Sequence, residues 1–293
     1  MKSARWILGT AILACLGGTA PAADGQPTPQ ILVIAGPCDH PPGTHEAAAG
    51  ARLLKYCLEN AENVPPVSVA VRDDWPRDPA ALAGLRSIVF IGDVFPPERM
   101  EDPARVKAEL AALLERGCGL VCLHFATGLR AAHVDQDGDH PLLHWIGGYF
   151  ASGCAHHRSV ARVCTATLVP EDRDHPVLHG WEAFTMHDEP YWNNYFGKDG
   201  PADNVTALVT AMLPPEAPQK ETVAWAVQRP DGGRGIGIVV PHFFRNWQID
   251  DLRMLVLNAV YWSAKMEVPA EGVRSKLTDL EVFRPASIDP GGE

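Results

Sequence analysis

QILVIAGPCDHPPGTHEAAAGARLLKYCLENA, residues 30–61, decides the fold. Behind Gln30 runs an unbroken apolar segment that stops at Gly36-Pro37, the pattern of a strand buried on both faces. After the loop GPCDHPPGT, Leu53, Leu54, Cys57 and Leu58 recur at helical spacing, with Thr44 in position to act as N-cap. A buried strand leading into an amphipathic helix is the repeating unit of a parallel sheet covered on both sides.

The unit recurs. VSVAV (67–71), SIVFIG (87–92), GLVCLHF (119–125) and GIGIVV (235–240) predict strands, and 103–117 and 249–266 predict helices. The middle departs from this rhythm. HRSVARVCTATLV (157–169), NVTALVTAML (204–213) and ETVAWAVQ (221–228) read as further strands, and Pro230-Asp231-Gly232-Gly233 turns the chain into the last one. The expected fold is therefore α/β, with a mostly parallel sheet extended on one side by antiparallel strands. One domain is expected over 30–268, followed by a polar, Pro- and Gly-containing tail, 269–293, that either straps the surface or stays mobile.

The chain opens with Lys2 and Arg5, an apolar run and small residues including Ala20-Pro21-Ala22, the layout of a secretory leader over 1–22. Ile12-Leu13-Ala14-Cys15 offers a competing lipid-attachment site at Cys15. An exported protein, periplasmic or extracellular, with no transmembrane anchor in its mature chain is expected. Loss of Lys2 and Arg5 takes the formal charge from −11 to about −13. An acidic surface argues against nucleic acid and anionic membrane as partners. Cys118 and Cys122 are separated by four extended residues, about 13 Å, too far for a disulfide, and buried free thiols are expected instead.

Ligands of open α/β sheets bind beyond the carboxyl ends of the strands. Asp39, His40, His45 and Glu46 follow the first strand, Asp93 the SIVFIG strand, His124 the GLVCL strand, and His242, Arg245, Asn246 and Trp247 the last. FTMHDEPYWNN (184–194) sets His187, Asp188 and Glu189 against Tyr191 and Trp192. Strand alternation would put His187 and Glu189 on one side and leave Asp188 to orient a neighbour. His156-His157 is a weaker signal, because adjacent extended residues point opposite ways.

PPGTHEAAAGARLLK, WPRDPAAL, GCGLVCLHFATG, HPLLHWIGGYF, DHPVLHG, MHDEPYW, ETVAWAVQRPDGGRGIGIVVPHFFRNW and LVLNAVYWSAKMEVPAEGV, in this order over residues 30–275, resemble exported members of the ThuA-like, or trehalose-utilisation, family. The resemblance implies a flavodoxin-like, class I glutamine amidotransferase-like three-layer sandwich and a role in the catabolism of trehalose-related disaccharides. It carries His45, Glu46, His124, Asp188, Glu189, Tyr191, His242 and Asn246 over as site positions. One departure stands out: Val240-Pro241-His242 replaces the Gly-Gly-His of such members, and proline removes a backbone donor there.

Glutamine hydrolysis needs a cysteine at the strand-to-helix elbow, where this chain has His124; Cys122 lies two residues earlier, within the strand. The reading is a carbohydrate enzyme that cleaves or transforms a glycoside or 3-keto-glycoside, with Glu189, Asp188 and His124 as acid–base groups. His45, Glu46, Tyr191, Trp192, Arg245, Asn246 and Trp247 would contact the sugar. His45, His124, Glu189 and His242 would suit a divalent metal such as zinc. The alternative is a non-catalytic sugar-binding or scaffold protein that retains the pocket.

Overall fold

A computed structural model describes residues 28–284; the expected leader lies outside them, as does 285–293. β1 (Gln30–Ala35) is buried from Ile31 onward and pairs parallel with β2 (Ser68–Arg72) and β3 (Leu85–Ile91). β4 (Gly119–Leu123), buried throughout, continues the parallel set beside β3. Two short strands, β5 (Gly128–Arg130) and β6 (Phe150–Ser152), form a separate pair, as do β7 (Val160–Ala161) and β10 (Tyr191–Trp192). β8 (Cys164–Pro170), β9 (Phe184–Asp188), β11 (Val205–Leu213) and β12 (Gln219–Gln228) form the antiparallel extension. β13 (Arg234–Ile238) joins the two halves, parallel to β4 and antiparallel to β12. The nine-stranded sheet runs β2-β1-β3-β4-β13-β12-β11-β8-β9, the mixed sheet expected from the sequence.

Helices α1 (Ala47–Glu59), α2 (Pro103–Glu115), α3 (Pro141–Ile146) and α4 (Asp250–Ser263) complete the layers. α4 lies so close over β4 that a Cβ on Gly119 would sit 2.3 Å from the Ser263 carbonyl. On the opposite face, α3 crosses β13, where a Cβ on Gly235 would meet the Trp145 carbonyl at 2.0 Å. Only glycine permits either approach.

Three of the boundaries that differ from expectation bear on the site. Thr44 is not the N-cap of α1; Glu46 is, in a left-handed conformation (φ 35°), while the Thr44 hydroxyl donates to the Pro41 carbonyl. β4 stops at Leu123, and His124 opens a 3₁₀ turn with φ 49°. β13 stops at Ile238, so Val239 to His242 form a loop. An apolar run marks burial, and burial continues past the point where a strand loses its ladder.

Within the tail, residues 269–284 strap the surface. Leu280 and Phe283 are buried, the Phe283 ring packs 5.5 Å from Tyr56, and Arg52 Nε donates to the Phe283 carbonyl at 2.9 Å. Among the described residues no helix is long and apolar enough to cross a membrane.

Six described cysteines are all free, and of these only Cys38 is exposed. Burial pushes the Cys118 thiol up to about 12 and the Cys122 thiol well above its ordinary value. Alkylation of the native protein should therefore modify Cys38 alone on a fast timescale, and reductant should leave the melting temperature unchanged. Rapid labelling of Cys122, read by peptide mass mapping, would contradict this.

Candidate functional site

Four loops deliver the polar side chains to the carboxyl edge of the parallel strands. The β1–α1 loop brings His40 and His45, the end of β3 brings Asp93, the end of β4 brings His124, and the loop after β13 brings His242. Glu189 and Tyr191 arrive from the antiparallel side, where β9 ends at Asp188.

Asp93 anchors the first loop. Its buried carboxylate accepts hydrogen bonds from the Asp39 N–H at 2.6 Å, from His40 Nδ1 at 2.7 Å and from His45 Nδ1. Burial alone would raise its pKa, but the bonds from His45, the Asp39 amide and His40 outweigh burial and hold it below the usual carboxylate range. An ionised Asp93 fixes the proton of His45 on Nδ1 and leaves Nε2 with a lone pair. His124 is set the same way: Nδ1 lies 2.9 Å from the Val239 carbonyl, which can only accept, so Nε2 again presents a lone pair.

Both lone pairs face one atom. His242 Nδ1 lies 3.0 Å from His45 Nε2, 3.1 Å from His124 Nε2 and 3.2 Å from a Glu189 carboxylate oxygen. The same Glu189 oxygen is 3.8 Å from His124 Nε2, and all four donor atoms lie within 4.8 Å of one another. The Tyr191 hydroxyl completes the cluster at 2.9 Å from His124 Nε2. Burial pushes the Tyr191 pKa well up, helped by the Glu189 charge, so the phenol keeps its proton.

Burial lowers the pKa of His45 against the opposing bond to Asp93, and lowers that of His124 well below its ordinary value, helped by neighbouring His45. Both imidazoles are thus neutral at pH 7. In the unfolded chain they would take protons near pH 6.5. Their contribution to stability is therefore complete above about pH 6.5 and is lost as the pH falls toward the folded-state values. Melting temperature of the metal-free protein should accordingly drop between pH 7 and pH 5; a flat profile would contradict the assignment of neutral, buried rings.

Three residues of this neighbourhood have a left-handed φ: His124 itself, Glu46 beside His45 and Val94 beside Asp93. For residues with a Cβ this costs roughly 1–2 kcal/mol each. Such conformations persist where the surroundings over-determine them, and they gather at functional sites. The turn after β4 therefore has the strained backbone of a nucleophile elbow but presents an imidazole. Cys122, fully buried in the strand, cannot take that place.

His45, His124, Glu189, His242 and the Tyr191 hydroxyl come together; other expected residues do not. Glu46 turns away, accepting from the Gly43 N–H and lying 3.3 Å from Arg284 Nε. Trp192 is buried beneath Arg162, whose guanidinium carbon is 5.5 Å from its ring. Trp247 is buried behind the cluster, lining a small cavity with His45 and His124. Arg245 is exposed and lies 3.9 Å over the Phe243 ring.

The alternation expected for His187 and Glu189 breaks because β9 ends between them. His187 is exposed and bonds Thr165, whereas Glu189 follows the chain into the site. Asp188 takes a positioning place: fully buried, it accepts from the His242 N–H at 2.7 Å, the Glu189 N–H at 2.6 Å and Asn246 Nδ2. Burial raises its pKa against these three bonds. Asn246 is thereby engaged with Asp188 and the His187 carbonyl. Asp188→Asn would set an amide NH₂ against these donors and should cost about 2–3 kcal/mol, measured by denaturant unfolding. Unchanged stability would contradict the acceptor role.

Asp93 and His40 carry more of the site than their sequence positions conveyed. His40 stacks on His45 with ring centroids 3.6 Å apart and shares its carboxylate partner. The signal lay in Gly92-Asp93, a polar residue directly at a strand's carboxyl end. The rim is lined by half-buried His40, Phe125, Glu189 and Phe243.

A family described as ThuA, trehalose utilisation, matches residues 31–263. Among solved structures, a ThuA-like protein from Bacteroides uniformis ATCC 8492 aligns at 15% identity and TM-score 0.58, covering 84% of this chain and 95% of that one. A ThuA-like protein from Parabacteroides merdae ATCC 43184 aligns at 16% identity and TM-score 0.56, covering 85% and 98%. A glutamine amidotransferase from Thermotoga maritima covers 82% and 100% at 10% identity, with a TM-score of 0.44. No curated protein matches the chain significantly.

Proposed function

Since the chain belongs to the ThuA, or trehalose utilisation, family, we propose that it is an enzyme of carbohydrate catabolism that cleaves or transforms a glycoside or 3-keto-glycoside at a divalent metal held by His45, His124, Glu189 and His242. One observation carries the reading. The imidazole lone pairs of His45 and His124 and the Glu189 carboxylate converge around His242 Nδ1; the Tyr191 hydroxyl can serve His124, but a single proton on His242 Nδ1 could serve only one of the other two at a time. Acceptors gathered so closely, with the histidines buried and Glu189 only part-exposed, repel one another unless a cation sits among them.

Zinc–nitrogen bonds of about 2.0–2.1 Å in a tetrahedron place neighbouring donors about 3.3 Å apart. Four of the six donor separations, 3.0, 3.1, 3.2 and 3.8 Å, bracket that edge, and all six lie within 4.8 Å. Asp93 behind His45 and the Val239 carbonyl behind His124 supply the outer-shell bonds that fix metal-binding imidazoles. A bound divalent ion would polarise a sugar ketone or hydroxyl oxygen, or activate water.

The chain's own groups supply the rest. Glu189, part-exposed at the rim, is placed to exchange a proton with substrate. The Tyr191 phenol, protonated and within reach of the same point, donates to an oxygen developing charge there. Asp188 acts through Glu189 and His242 by holding their backbones. A sugar platform without chemistry would need exposed aromatic faces, and Trp192 and Trp247 are 7% and 4% exposed. That favours the enzyme over the binding protein.

The test is incubation of purified protein with trehalose, its 3-keto derivative and related glycosides, with zinc and with chelator. Chromatography should reveal free glucose or a new keto-sugar only with metal. Intact glycosides under every condition would reject the proposal. Export through residues 1–22 belongs to the same reading, and N-terminal sequencing of the mature protein checks it.

A further inference from the structure

The strapping C-terminal segment packs against α1 and the turn after His242, and its Arg284 guanidinium, which also pairs with Glu281 at 2.6 Å, reaches toward the site. Arg284 Nε lies 3.3 Å from a Glu46 carboxylate oxygen, and its guanidinium carbon lies 5.3 Å from the Phe244 ring. Glu46 adjoins His45 in sequence, and Phe244 follows His242 by two residues. Gly43 ties these loops to each other: its N–H donates to Glu46, and its carbonyl accepts from the Phe244 N–H at 3.2 Å. Arg284 is itself seated by its neighbours. Phe283 and Leu280 are buried, and Arg52 donates to the carbonyls of Phe283 and Arg284 at 2.9 and 3.1 Å.

Glu46 explains why such a seat matters. It stands at the N-cap of α1 in the left-handed region, yet its side chain makes no capping bond. The carboxylate is directed instead to Gly43 and Arg284. Without the counter-charge, nothing on the strap side holds Glu46 there, and relaxation of its backbone would carry His45 with it.

We propose that Arg284 is a positioning residue: through Glu46 and Phe244 it clamps the loops bearing His45 and His242, so the C-terminal strap sets the geometry of the four-donor site. The consequence for metal affinity rests on the reading of those histidines as ligands; the clamping of the loops does not.

Two measurements on the whole chain separate these. In Arg284→Ala, hydrogen exchange at the Gly43 and Phe244 amides should accelerate at least about tenfold, with exchange in β3 and α4 and the melting temperature unchanged. Zinc affinity, measured by competition with a chromophoric chelator, should fall about tenfold, the lower end of what outer-shell partners cost. Arg284→Lys, which keeps the charge, should restore most of both. Wild-type exchange at both amides, or acceleration spread equally through β3 and α4, would overturn the clamp. If the wild-type protein takes up no zinc, the metal reading fails on its own, and the exchange arm still decides the clamp.

Discussion

Glu189→Gln should lower turnover by at least about a hundredfold, the lower range of general acid–base contributions, while changing sugar affinity far less. The amide preserves shape and much of the hydrogen bonding. It cannot bear the charge that a metal favours, nor exchange a proton with substrate. Glu189 lies 3.2 Å from His242 Nδ1 and 3.8 Å from His124 Nε2, so the lost charge falls at the centre of the site. Its backbone is held by Asp188, which the substitution leaves in place. Steady-state kinetics decide: wild-type turnover in the variant would remove Glu189 from the chemistry.

His242→Ala should weaken zinc binding by well over a hundredfold, more than the 10–100-fold expected for an outer-shell change such as Asp93→Ala. His242 Nδ1 is the donor atom lying within 3.2 Å of each of the other three, so its removal opens the cluster at its middle. The ring is not a core element, and the circular dichroism spectrum should be unchanged. Competition titration gives the ranking. An affinity for His242→Ala equal to that for Asp93→Ala would show that His242 does not ligate the metal.

The central strands of the parallel half were legible because they are buried on both faces, unlike the edge strand β2. Ile31 to Ile34 and Leu120 to Leu123 read as apolar runs with nothing to confuse them. β8 shows the other pattern, strict alternation of buried and exposed residues, although the run 157–169 read as one strand is divided between β7 and β8 in different sheets. Strand ends were less legible: His124 and Val239 remain buried after their ladders stop, and hydrophobicity records burial rather than pairing.

The convergence of candidate residues was legible where chemistry coincided with a strand's carboxyl end, as for His45, His124 and His242. It was misread where orientation depended on a local break. Trp192 and Trp247 offered ring faces in sequence, but packing claims those faces. Glu46 looked equivalent to its neighbour His45, yet a left-handed backbone turns it toward Arg284, 238 residues away in sequence, and nothing near position 46 announces that partner. The convergence of Asp93 on two histidines is likewise a tertiary fact, invisible to spacing.

The central claim is that a metal at His45, His124, Glu189 and His242 makes this a carbohydrate enzyme. Its most direct test is titration of chelator-treated protein with zinc while product release from trehalose and 3-keto-trehalose is followed by chromatography. The account predicts that activity rises with added zinc and levels off at one equivalent per chain. Product release that is indifferent to zinc, or one equivalent bound with both sugars left intact, would contradict it.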